Sequence, residues 1–151
     1  MDDLASLETS EADAQPFVAT APPAPATPLL PGERYAGIAL DTDGNPTHHL
    51  VLMPQQPEND VAWQAAMDWA ISIGGTLPTR QEQALLFANC KPHLKPTWHW
   101  SSETHKDVAS FAWLCHFYGY QHYYRKSYEG SAVAVRRLAL HSFNPLTGVA
   151  A

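Results

Sequence analysis

The residues with the widest chemical reach are eight histidines and two cysteines. His99 and His105 flank a polar loop, and His116 and His122 lie on or beside the hairpin that follows. Zinc needs three or four converging His, Cys or carboxylate ligands, and no His-x-x-x-His spacing supplies a pair on one helix face. His48 and His49 are neighbours on a strand, so they point to opposite sides and cannot chelate one ion together. These histidines therefore read as surface or half-buried groups, and no metal or cofactor is expected. Cys115 beside His116, or facing His99, suggests a thiol nucleophile. It sits mid-strand among large apolar residues, where a thiol is a packing group; activation needs a nearby base or a helix N-terminus. Glu82 is a single carboxylate with no partner in sequence. No catalytic residue is assigned.

The strongest functional signal is aromatic and basic. Tyr118, Tyr120, His122, Tyr123, Tyr124, Arg125, Lys126 and Tyr128 crowd one connector, with Trp98, Trp100 and His105 just upstream. Tyr, Trp and Arg offer large contact areas and directed donors, which favours protein recognition. The competing expectation is that half of these rings pack beneath the loop; both are expected in part. Stacking on a nucleic-acid strand is the weaker option. The formal net charge is −6, and phosphate binding draws on clustered Lys and Arg.

These side chains need a scaffold. Trp98–Ser102, Phe111–Phe117 and Ser131–Leu138 alternate or concentrate apolar residues and read as adjacent antiparallel strands. Trp98 and Trp100 share one face, with His99 on the other; Trp113, Cys115 and Phe117 oppose Leu114 and His116. Upstream, Tyr35–Leu40 and His48–Met53 form a hairpin turned at Asp43-Gly44. Asp41-Thr42-Asp43 also begins like a calcium loop, but the Gly comes early and the twelfth position is Leu52, not Glu. A helix capped by Asp60 runs to about Ile73 and closes at Gly74-Gly75, with Val61, Ala65 and Trp69 beside Ala62, Ala66 and Ile73 as its stripe. Thr79 and Glu82 form a capping box for a second helix that turns Ala84, Leu85, Phe87 and Ala88 to the core. Arg80 and Glu82 are expected to cap and to pair at the surface.

At 151 residues, 45% of them hydrophobic, one globular domain is expected. Residues 1–31 are rich in Ala, Pro, Ser and Thr and read as a disordered arm; 32–140 form the domain; 141–151 form a flexible tail. Residues 1–15 carry Asp2, Asp3, Glu8, Glu11 and Asp13 without a basic residue. No apolar run is long enough to span a membrane, and the acidic start lacks the features of a signal peptide. A cytoplasmic location, in a host cytosol or assembled into a virion, follows as the expectation. Cys90 and Cys115 are then reduced, with a disulfide as the alternative.

Leu77-Pro78-Thr79-Arg80 with Glu82, Trp100-Ser101-Ser102, Ala112-Trp113 with Phe117 and Gly119, and Ala134-Val135-Arg136-Arg137 occur in that order. The series resembles the Lcl C-terminal-domain family, a domain of unknown function frequent in temperate phages and prophages. The resemblance spans roughly Glu33 to Leu138. It implies an α+β, C-type lectin-like fold: a hairpin, two helices and a small twisted antiparallel sheet. It implies no settled activity, and family members are regarded as binding modules. In related diversified proteins the ligand surface lies around the last strands, which match Trp98–His105 and Tyr118–Tyr128 here. The long loop lacks a calcium-lectin tripeptide, and Gln56-Pro57-Glu58 stands before the first helix, away from where partner ligands would be. A late, closely spaced cysteine pair, as in formylglycine-generating enzymes, is absent too. The expectation is a protein-binding module for a host factor or virion component, acting through Trp98–His105 and Tyr118–Tyr128. A formylglycine-generating-type or metal-dependent enzyme and a structural tether are the alternatives; a carbohydrate ligand and self-association stay open.

Overall fold

A computed structural model describes residues 29–142. The arm expected over 1–31 and the tail expected over 141–151 lie, apart from their inner ends, outside the described residues. Within them the chain forms an α+β domain with two helices and two three-stranded antiparallel sheets.

The first sheet begins as the expected hairpin, β1 (Arg34–Leu40) with β2 (Pro46–Leu52). Its turn is closed by the Asp41 carboxylate, which accepts from the N–H groups of Asp43 and Asn45, each at 2.9 Å. The third strand of this sheet is β6 (Val135–Ala139), which pairs with β2 from His48↔Ala139 to Leu52↔Val135. The second sheet has the order β3 (Trp98–Thr104), β4 (Phe111–His116), β5 (Gln121–Arg125).

Two expectations are corrected here. Ser131–Leu138 is not a strand beside β4: its second half joins the other sheet. The Tyr118–Tyr128 connector is not only a loop, because β5 runs through it. Ser131–Val135 is buried throughout and lies between two cores. Ala132 and Ala134 pack with Trp100, Leu114 and Ala66, while Val133 and Val135 pack with Leu50, Leu86 and Cys90. A segment buried on both sides reads as a continuous apolar run, so its sequence does not say which sheet it joins.

Helix α1 spans Trp63–Ser72 and α2 spans Arg80–Cys90. Asp60 does not cap α1. The N-cap is Ala62 with no side-chain hydrogen bond, and the chain ahead of it is held instead by Val61, whose N–H and C=O both bond Gly130. Ala66 and Ala70 form its buried face, and Ala65 is exposed. The capping box of α2 is present: Thr79 Oγ1 accepts from Glu82 N at 3.1 Å, and Glu82 Oε1 accepts from Thr79 N at 2.9 Å. The buried face of α2 differs from the expected one. It is Glu82, Gln83, Leu86 and Cys90; of the expected residues Leu85 packs against the second core and Phe87 is half-buried, while Ala84 and Ala88 face out.

The rotation has a cause in Glu82, which is 2% exposed. Arg137 donates to it through Nε and Nη2, both at 2.7 Å, and His48 Nε2 lies 2.6 Å from Oε2. The expected surface pairing is therefore an interior ionic hub joining α2, β2 and β6. Burial raises the Glu82 pKa, but the Arg137 hydrogen bonds, the Thr79 N–H, the Arg137 charge and His48 outweigh it and hold it at about 2.

Candidate functional site

The candidate surface is built on the β4–β5 hairpin. β4 alternates between its two faces and reverses through Phe117-Tyr118-Gly119-Tyr120. The Gly119 N–H donates to the His116 carbonyl at 2.7 Å, and the residue adopts φ +94°. A side chain there would also meet the Phe87 ring at 3.0 Å, so the tip sits against α2 only because the residue is Gly. At the tip, Tyr118 stacks on His116 at 5.3 Å, and Lys91 Nζ lies 4.9 Å from the Phe117 ring centre.

Antiparallel pairing divides the aromatic residues between two faces. Trp113↔Tyr123 places one set toward α2. Tyr123 packs edge-on to Trp113 at 5.1 Å and against His105 at 4.4 Å. The Arg80 guanidinium lies 3.5 Å over Trp113 and donates to Gln121 Oε1 at 3.0 and 2.7 Å. Leu114↔His122 and Ala112↔Tyr124 place the other set on the opposite face. There Trp98, Leu114, His122, Tyr124 and Tyr128 line a groove of about 210 Å³. Trp98 and His122 stand 6.4 Å apart by ring centres, and Tyr124 and Tyr128 stand 5.1 Å apart.

The expected site residues separate accordingly. Tyr118, Tyr120, Tyr123, Tyr124 and Tyr128 are exposed, Tyr118 and Tyr120 by 62% and 66%. His122 and Arg125 are exposed too, and Trp98, His105 and Lys126 are half-buried. Trp100 is the exception: it is fully buried, its Nε1 donates to the Val61 carbonyl at 2.9 Å, and it belongs to the core beneath the surface. Trp113 and Arg80 join the surface and buried Leu114 floors the groove, none of them expected as a binding residue, while Gln121 falls within the expected Tyr118–Tyr128 segment. The signal for them lay in Gln121-His122-Tyr123-Tyr124-Arg125, a run with strand propensity whose pairing to β4 brings these residues alongside.

The cations here are held in an unusual way. Among the described residues, the ion pairs use only His48, Arg136 and Arg137. Arg80 lies over Trp113, Lys126 lies 4.2 Å over Trp63, and Arg125 lies 5.5 Å from the Tyr124 ring. Ring faces attract these charges without neutralising them.

Nucleophilic chemistry finds little support in this geometry. Cys115 pairs across the sheet with His99, as the strand reading implied, but both are buried. Burial pushes the Cys115 thiol up, away from the reactive thiolate. Burial also lowers His99 to about 4, so its imidazole is neutral at pH 7. Cys90 and Cys115 are both free thiols. Among the described residues, no group of three His, Cys, Asp or Glu side chains is placed to hold a metal ion, and no helix is long and apolar enough to cross a membrane.

No protein-family model matches the chain, and no curated protein matches it in sequence.

Proposed function

We propose that this chain is a protein-binding module that recognises its partner through the β4–β5 hairpin and the aromatic groove beside it. The observation that carries this reading is the distribution of exposed rings. Every tyrosine after Tyr35 lies between residues 118 and 128 and is exposed, on a hairpin whose cations are left without carboxylate partners among the described residues. Large exposed rings on one hairpin and its flank, with Arg125 on the hairpin and Arg80 beside it left without carboxylate partners among those residues, favour contact with another molecule over solvation. The order of motifs from Leu77 to Arg137 adds a C-type lectin-like fold of the Lcl C-terminal-domain type and a phage or prophage setting. The partner is then a host factor or a virion component.

Replacement of Tyr120, Tyr123 and Arg125 by Ala tests the reading. Tyr120 and Arg125 are exposed, and Tyr123 gives up its ring contacts with Trp113 and His105, so the triple variant loses about 1–3 kcal/mol of unfolding free energy, read by denaturant unfolding beside the pull-down. It loses the partner that the wild-type chain retains in pull-down. A variant that keeps the partner removes this surface from consideration.

A further inference from the structure

β5 is an outer strand of its sheet, and its free edge can be assigned group by group. His116 N donates to Tyr120 O, and Lys126 N donates to Ser110 O. With Leu114↔His122 and Ala112↔Tyr124 in register between them, the backbone groups of His122 and Tyr124 point to β4. Those of Gln121, Tyr123 and Arg125 point away from it. Among the described residues, none of these outward groups has a backbone partner except the Arg125 carbonyl, which accepts from Tyr128 N at 3.0 Å. The other edge of the sheet is different: Trp100 N donates to Ser131 O, Ser131 N to Trp98 O, and Ser102 N to Pro78 O. β3 is covered and β5 is open, with all five of its residues exposed.

Sheet edges are commonly blunted by proline or by a bulge. β5 has neither: its sequence is QHYYR, and its register to β4 is unbroken; its guards are its five-residue length and the charges of Arg125 and Lys126, which repel a basic strand and attract an acidic one. A strand laid along it would send alternate side chains to the two faces already described. One set would fall beside Tyr123 and the Trp113–His105 cluster. The other would fall beside His122 and Tyr124, at the mouth of the groove. Charge decides what such a strand carries. Arg125 and Lys126 close the strand, Arg80 is bonded to Gln121 at its start, and Glu129, the next carboxylate along the chain, lies beyond it. The same charges disfavour a second copy: pairing two β5 strands about Tyr123 sets Arg125 of each against the Gln121–Arg80 pair of the other.

We infer that the β5 edge takes up an extended acidic segment of the partner protein as an additional strand, with an apolar side chain seated between Trp98 and Tyr128, carboxylates over Arg80 and Arg125 on the opposite face, and Lys126 adding positive charge at the end of the strand. This inference rests on the protein-binding reading above and names the chemistry of its partner.

Selection of random ten-residue peptides on the full-length chain, followed by residue-resolved amide exchange with the best synthetic binder, tests it. The expected binders alternate acidic and apolar residues. At saturation they slow exchange of the Tyr123 N–H by at least about tenfold, the effect of one new backbone hydrogen bond. The R125E/K126E variant weakens them by roughly tenfold or more. Failure to enrich any peptide, or a binder that leaves Tyr123 exchange unchanged, overturns strand addition, and enrichment of basic or uncharged peptides overturns the acidic partner, so each of these results overturns the inference. The last two outcomes also separate the two claims. If that peptide is lost on Y120A/Y123A, the protein-binding surface stands without the inference; if it is not, both fall.

Discussion

His99 and Glu82 sit on the two faces of one structural problem, a titratable group taken out of water. His99 is neutral in the folded chain, with its pKa lowered by burial from 6.5 to about 4. Between these values the unfolded chain binds a proton that the folded chain does not. Stability is therefore fully present above pH 6.5 and declines as pH falls to about 4, by roughly 3 kcal/mol in all. Glu82 acts in the next window. Its carboxylate is depressed from 4.5 to about 2, so the stability it contributes holds above 4.5 and is lost as pH falls toward 2. Urea unfolding across pH 7 to 3 shows both: H99Q flattens the upper slope and E82Q the lower one. A wild-type curve flat from pH 6.5 to 4.5 contradicts the first assignment. Neither role was legible in the sequence, where His99 is only the residue between two tryptophans and Glu82 only the third position of a helix. Their surroundings come from β4 and β6, far along the chain.

At the scale of elements, local chemistry was readable and long-range pairing was not. The capping box and the Asp43-Gly44 turn need only their own neighbours, and both stand where the spacing places them. T79A is expected to cost about 1 kcal/mol in denaturant unfolding and T79S far less, because the hydroxyl that accepts from Glu82 N is kept. The buried face of α2 was misassigned for a physical reason. Helical periodicity counts apolar residues, and this helix turns a carboxylate and an amide inward, to Arg137 and to the His99 carbonyl. β5 was missed because its residues are all exposed, which leaves no hydrophobic alternation to read. G119A tests the hairpin tip. A positive φ and the Phe87 ring both oppose a side chain, so a loss of about 1–2 kcal/mol is expected.

Across the described residues, the two cores and the hairpin surface do different work. Ser131–Val135 divides the cores, and each sheet contributes to one of them. Leu86 is 2% exposed in the second core, and L86A is expected to cost about 2–5 kcal/mol in denaturant unfolding while leaving the proposed partner contact through the hairpin intact. Aromatic residues can gather on β4 and β5 without unfolding the domain because the interior is filled by Trp100, Leu50 and Leu86 and, from β4 itself, by Ala112 and Leu114. The clustering of rings between residues 118 and 128 was visible in the sequence, while their division into two faces needed the strand register.

The most direct measurement places a photo-crosslinking amino acid at Tyr120 or Tyr123 in the cells that make the chain. Ile71, exposed on α1 and remote in sequence from the hairpin, is the control. A discrete crosslinked partner from both hairpin positions and none from Ile71 is the predicted result. Crosslinks from Ile71 with none from Tyr120 or Tyr123 would contradict the account.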